Sequence, residues 1–464
     1  MTFRSSLLLS ALLLACNGDK STATDTDETD VEDSEMDSEM DSEMPMVDVC
    51  TDYPGNVTCD GTIATLSGTF TADIRLGAGY TWVLSGLVEI GEGGTEEAEP
   101  TETAVLTIDA GTTVYGTEGS ALVINRGSQI FANGTATDPV VFTSEKVALE
   151  EDAAPSNWGG LVLNGRAPVN NCASPGCTVA GEAGTGLFGG SMPADDSGAL
   201  TYVRIEFGGF DVLPDEELNG ITFAGVGSGT EVHHIQVHAN DDDGIEFFGG
   251  TVDVKYAVLS CVKDDSLDTD FGYVGRIQFL LAVQCDDFSE TSDPSGSEND
   301  NLKANNSATP RSAPVVSNAT FIGRDLQSAP DFGLVFRRGT AFELHNSIVT
   351  GFGTACLAVR DADSSPVIKK SVLACDETFE IEDPNTTEEE DVFNAAGAGN
   401  STTDPDLADT TLTLGATPDF RPGAALGTGA AQPSATFFDA VTYIGAFEPG
   451  GDNWLEGWTR FPAN

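Results

Sequence analysis

Between positions 241 and 287 the chain sets carboxylates in three bursts: Asp241, Asp242, Asp243 and Glu246, then Asp264, Asp265, Asp268 and Asp270, then Asp286 and Asp287. Ionised carboxylates are hard oxygen donors, and a protonated one beside an ionised one is the acid and base of glycosidic cleavage. The paired aspartates recur at 22 residues. If that interval is one coil of a repeating fold, equivalent carboxylates stand about 4.8 Å apart in neighbouring strands. Bare charges at that distance repel, so a proton, a Lys or Arg partner or a bridging cation is required. Calcium suits such a set, because it takes about six to eight oxygens in irregular loops. All ten residues are therefore candidate calcium ligands. The competing expectation is that the aspartates cap turns by accepting from backbone N–H groups, with Lys255, Lys263 and Arg276 neutralising the rest.

The elements that would position these residues are short strands broken by Gly, Asn and Asp, with apolar alternation and no sustained helical period. Leu106-Thr107-Ile108 repeats as Leu122-Val123-Ile124 at 16 residues. Ile235-Gln236-Val237, Val258-Leu259-Ser260 and Leu281-Ala282-Val283 each precede a pair of aspartates, and the unit they belong to is read at the 22-residue interval of those aspartates. Asn346-Ser347-Ile348-Val349 and Lys370-Ser371-Val372-Leu373 repeat at 24, with Asn318-Ala319-Thr320-Phe321 as a looser copy. Such a period predicts an all-β fold, a right-handed parallel β-helix whose coils stack strand on strand, with Ile235, Val237, Ile245 and Phe247 in the core. Propeller blades need about 40 residues each, more than these units supply.

The N-terminus carries an apolar run that closes on Leu13-Leu14-Ala15-Cys16, the pattern of a lipoprotein signal peptide, so residues 1–16 are expected to end at an acylated Cys16. The run is about half the length a spanning helix needs. Residues 17–48 are rich in Asp, Glu, Ser and Thr, including three copies of Asp-Ser-Glu-Met, and cannot bury enough to fold; they read as a disordered acidic linker. Residues 49–464 are then a single domain. Eight cysteines remain after Cys16 and fall in four local pairs, Cys50 with Cys59, Cys172 with Cys177, Cys261 with Cys285 and Cys356 with Cys375, which in an exported chain predicts disulfides. The net charge of -55 excludes nucleic acid as a partner and makes cations the natural counterpart.

The segments Asn157-Trp158-Gly159-Gly160-Leu161, Gly225-Val226-Gly227-Ser228-Gly229-Thr230, Asn240 to Val252 and the closing Asp452-Asn453-Trp454 with Gly457-Trp458 resemble a family of Gram-negative surface lipoproteins with a right-handed parallel β-helix. The resemblance implies that fold and a place at the outer membrane or cell surface, and no biochemical role. A more local likeness links Asp241-Asp242-Asp243-Gly244-Ile245-Glu246 and Asp264-Asp265 to polygalacturonase-type glycoside hydrolases. It implies Asp243, Asp264 and Asp265 as acid and water-activating base. The Gly-His-Gly and Arg-Ile-Lys segments of those enzymes have no counterpart here. A calcium-dependent lyase would need Arg276 or Arg337 as base.

Other features carry less. His234 and His238, with Gln236, are expected to face away from Ile235 and Val237, as exposed histidines or a metal pair. Tyr202, Phe207, Phe210, Phe247, Phe248, Phe271 and Tyr273 could stack on sugar rings or pack internally. Residues Asp293 to Pro314 read as a long loop leaving the coil near the acidic ladder. No phosphate loop, serine triad or zinc helix is present in the sequence. Two functions are expected from this pattern. The preferred one is a lipid-anchored surface protein, calcium-stabilised, that binds a glycan or envelope partner without catalysis; the other is a polysaccharide hydrolase or lyase using the stacked aspartates.

Overall fold

Runs as brief as Leu106–Ile108 or Ile235–Val237 cannot bury a face alone, so each takes its hydrogen-bonding partners from the coils before and after it. The computed structural model describes residues 49–461 except 96–97, 173, 212–217, 286–293, 325–329, 381–387, 411 and 413–415. Cys16, the 17–48 linker, Asp286 and Asp287 therefore lie outside the described residues. Among the described residues one sheet of 25 strands winds as a parallel β-helix. Its only antiparallel pair among the named strands of that sheet is Val57–Asp60 against Ile63–Phe70, at the N-terminal end.

Each coil has three faces. In one coil the first face is Glu231 to His233, the second Ile235 to His238 and the third Ile245–Phe248. Inward positions stack as ladders: Ile235 over Ala257, Leu280 and Ala319 on the second face, and Ile221, Ile245, Leu267, Ser297 and Leu334 on the third. Phe223, Phe247 and Tyr273 stack inside with ring centroids 5.1 and 4.2 Å apart. The corner between the first two faces is made by one left-handed residue per coil: Tyr202, His234, Tyr256, Phe279, Asn318, Asn346 and Lys370, with φ between 49° and 62°. That conformation costs a non-glycine residue roughly 1–2 kcal/mol. The paired strands on either side of the corner offset it, because a continuous straight strand could not turn from one face to the next.

The registers correct two intervals read from the sequence. Leu106 pairs with Ile130, not Leu122, and Leu122 belongs to a different face, paired with Val88 and Leu161. The 16-residue similarity links two faces that share the same inward alternation. Ile235 pairs with Ala257 at 22 and Ala257 with Leu280 at 23, so Val258 and Leu281 lie on the outward row with Gln236. All four expected disulfides form, and Cys261–Cys285 clips adjacent coils across a separation of 24.

The histidines also differ from expectation. His238 is 2% exposed, with Nδ1 3.0 Å from Ser260 Oγ. His234, turned at the corner, stacks between Tyr202 and Tyr256 at 4.3 Å from each. Burial pushes both imidazoles down to about 4. They neither share a face nor lie open. The cause is the C-terminal segment from about residue 402, which forms no coil and lies along the outward side of the second face. Phe420, Phe447, Leu455, Trp458 and Phe461 pack there on Val258, Leu281, Val283 and Ile322. Side-chain amides dock its backbone in pairs of bonds. Gln236 holds Arg460 N and O at 2.8 and 2.7 Å, and Gln278 holds Asp439 N and O at 2.8 and 3.1 Å.

Candidate metal centre

The acidic cleft lies where the second face turns into the third. Register places Asp242 over Asp264 and Asp243 over Asp265 in successive turns, because Ile245 pairs with Leu267. Gly244 sits between turn and strand, where an added Cβ would stand 2.6 Å from Ser266 O, so these turns stack only with a glycine there. On the adjoining strand the outward row is Thr222, Glu246, Asp268 and Glu298. Turn and row converge on a cleft of about 190 Å³, completed by Glu182 from a short 3-10 turn at Glu182–Gly184.

Three triads bring one oxygen from each member within 4.8 Å of the others: Asp242, Asp243 and Asp264; Asp243, Glu246 and Asp268; Asp265, Asp268 and Glu298. Asp243, Glu246 and Asp265 are 7, 8 and 7% exposed. Part of each carboxylate is engaged in holding the fold. Asp243 Oδ1 accepts from Asp265 N at 3.0 Å, Asp265 Oδ1 accepts from Ser295 N at 2.8 Å, and Glu246 Oε2 accepts from Asn219 Nδ2 at 2.6 Å. Turn capping therefore engages Oδ1 of Asp243 and of Asp265, and the Asn219 amide engages Oε2 of Glu246, which accounts for one oxygen of each carboxylate. Asp268 Oδ1 is shut off from solvent and has no hydrogen-bond donor.

Burial is the largest cause holding Asp243, Glu246, Asp265 and Asp268 well above the usual carboxylate range, followed in each case by neighbouring carboxylates. Among the described residues none of these four forms an ion pair with a lysine or arginine. Of the basic residues expected to neutralise the cluster, Lys263 does pair with Asp241, whereas Lys255 goes to Asp439 and Arg276 to Asp253. Asp241 and Lys263 occupy equivalent positions of successive turns, so Asp241 faces its own cation and stands outside the cleft. Asp270 occupies the neighbouring outward row, one coil from Phe248. Burial pushes Asp270 and Asp300 up to about 7, against the pull of Arg338. Arg337 reaches Glu298 and, at 2.8 Å, Asp300.

Six of the ten candidate ligands thus meet in one cleft: Asp242, Asp243, Glu246, Asp264, Asp265 and Asp268. Glu182 and Glu298 were not legible. Glu298 lies in Ser295–Asn299, a strand of the third face inside the stretch expected to be loop. Its inward residues are Ser297 and Asn299, bonded to each other, to Thr269 and to the backbone at Val335 in place of apolar packing. The signal was the Glu spaced from Asp268 by one coil plus an insertion. An all-oxygen donor set, with one orphaned enclosed oxygen and no thiolate or imidazole, fits a hard divalent cation.

The class the coils define is a parallel β-helix, here with carboxylates stacked on one face. The chain belongs to the family described as pectate-lyase-like β-helix domains, whose model matches residues 68–458. Among solved structures, a crystal structure of pectate lyase Pel9A is similar at 11% identity and a TM-score of 0.38, covering 83% of this chain and 88% of that one. No curated protein matches the chain.

Proposed function

We propose that the chain is a lipid-anchored, extracytoplasmic β-helix that holds calcium in its acidic cleft and binds an anionic glycan through it without cleaving it. The observation that carries this reading is the enclosed, donor-free Oδ1 of Asp268 amid buried carboxylates that form no ion pair with a lysine or arginine among the described residues. Calcium held by such carboxylates keeps coordination positions for a ligand's oxygens. The family's description favours a polysaccharide over an envelope protein as that ligand. The anchor rests on Leu13-Leu14-Ala15-Cys16.

Binding without turnover is supported by how the reactive candidates are used. Asp243 and Asp265 each commit an oxygen to a backbone N–H. The triad oxygens of Asp242, Asp243 and Asp264 are closer together than the roughly 6.5–9.5 Å of an inverting pair. Arg276 is bound to Asp253. One observation favours the second reading, a lyase: Arg337 borders the cleft and burial pushes its guanidinium pKa down. Its two ion pairs oppose proton abstraction.

The test is binding to a panel of acidic and neutral polysaccharides in calcium and in EDTA, with every incubation checked for shortened or unsaturated products. Calcium-dependent retention of acidic chains with no product supports binding. Product that disappears in Arg337→Lys establishes the lyase instead. Mass spectrometry of the N-terminal peptide reads acylation at Cys16, and an unmodified cysteine removes the anchor.

A further inference from the structure

Independently of the acidic cleft, we infer a metal site at the corner His233-His234, a two-nitrogen chelate for a borderline divalent transition ion, copper(II) foremost. Adjacent residues of a straight strand point to opposite faces. His234 stands in the left-handed conformation with φ 54°, and that turn brings the two rings together. Their Nδ1 atoms lie 2.9 Å apart. With metal–nitrogen bonds of about 2.0–2.1 Å, that separation subtends an angle of about 90° at an ion between them. A tetrahedral ion needs a wider bite. Two nitrogens at a right angle suit the tetragonal N,O geometry of copper(II), which also heads the affinity order of the divalent series.

Both rings are positioned by their neighbours. His234 is clamped between Tyr202 and Tyr256, with Trp458 edge-on at 5.6 Å. His233 Nε2 faces Glu231 Oε1 at 3.4 Å, which favours a proton on Nε2 and leaves the Nδ1 lone pair for a metal. Without metal, His234 Nδ1–H donates to that lone pair; on binding, its proton moves to His234 Nε2, so both rings stay neutral and each offers Nδ1. Stacking alone does not require this arrangement, because the neighbouring corners fill the same stack with Tyr202, Tyr256 and Phe279. Among the described corners only this one pairs two imidazoles. Lys255, the next residue on the row of His233, is paired with Asp439. The His233 side chain is 33% exposed, so water can fill the remaining coordination positions. Of the four histidines in the chain, the other two, His238 and His345, are buried.

The experiment is titration of the full chain with copper(II) in a non-coordinating buffer and excess calcium, which competes for carboxylate oxygens. Tryptophan fluorescence reads binding and electron paramagnetic resonance reads the ligands. Wild type is expected to hold one copper at this corner, with quenched emission, since Trp458 is close, and with coupling to two imidazole nitrogens. His233→Asn and His234→Phe, the second keeping an aromatic ring in the stack, should each leave one coupled nitrogen. Each should weaken binding by at least the roughly 10–100-fold that loss of a mere supporting partner costs. The double variant should show no nitrogen coupling. Circular dichroism confirms that the variants are folded; where one is not, the nitrogen count of wild type decides. Copper held by oxygen alone, coupling to a single nitrogen in wild type, affinity unchanged in either folded single variant, or coupling that survives in the folded double variant overturns the site.

Discussion

Asp268 concentrates the chemistry of the cleft in one side chain: it bridges two triads, holds an orphaned oxygen, and is pushed up by burial and by Asp265, Asp300 and Asp270. Asp268→Asn removes a charge that repels its neighbours, so in chelator the variant should be more stable than wild type by about 1–3 kcal/mol, while most of the calcium-induced gain is lost. Thermal unfolding with EDTA and with calcium reads both effects; a variant less stable in EDTA and equally responsive to calcium would deny Asp268 this role. The same carboxylates set a pH dependence. Unfolded carboxyls titrate near 4, whereas Asp270 and Asp300 are pushed up to about 7 and the four cleft carboxyls are also raised. Between about pH 4 and 7 the folded chain therefore holds more protons than the unfolded one, and metal-free stability falls as pH rises through that window. Calcium binds the deprotonated form, so with saturating calcium the decline should flatten or reverse, as midpoints taken at successive pH values would show.

At the scale of elements, the C-terminal segment and the inter-coil clips act on different parts of the solenoid. Gln278 is fully buried and its amide spends both groups on Asp439. Gln278→Ala leaves those backbone groups unsatisfied and should cost about 1–3 kcal/mol. The loss should appear first as protease cutting within residues 430–461, with the coils intact; cutting that begins in the coils would contradict it. Replacing Cys261 and Cys285 together by Ser removes a clip with a separation of 24 and should cost about 2–4 kcal/mol in oxidising buffer. The difference between parent and variant should vanish on full reduction.

For the whole molecule, the cleft matters because solenoid coils contact mainly their neighbours, so a cation that ties several coils stabilises a zone and not the entire length. Hydrogen exchange should slow on calcium addition at amides of 240–300, including Asp265 N and Ser295 N, which the cleft carboxylates cap. Amides of 63–124, on the N-terminal coils, should be little changed. Uniform slowing along the chain would mean that the ion acts on global stability. The net charge of -55 adds a general repulsion that salt screens, so sodium chloride should raise the metal-free midpoint without reproducing the local protection.

The sequence by itself determined the fold class, the four disulfides and six of the residues that line the cleft, since strand alternation, local cysteine pairs and recurring aspartates are short-range patterns. It determined less where the pattern depended on what lies opposite. The interval of 16 joined two faces, because inward alternation looks alike on each. Ser295–Asn299 escaped notice because its core positions are filled by hydrogen-bonded Ser297 and Asn299, which carry no apolar signal. Gln236 and His238 read as exposed from their own strand, and the C-terminal segment covers them. Only the tertiary structure decided which carboxylates meet, because register sets Glu298 beside Asp268, the turn at Glu182–Gly184 brings Glu182 to the same cleft, and Asp241 goes to Lys263. A coil's composition states what it can bond, and the stacking of coils states with what.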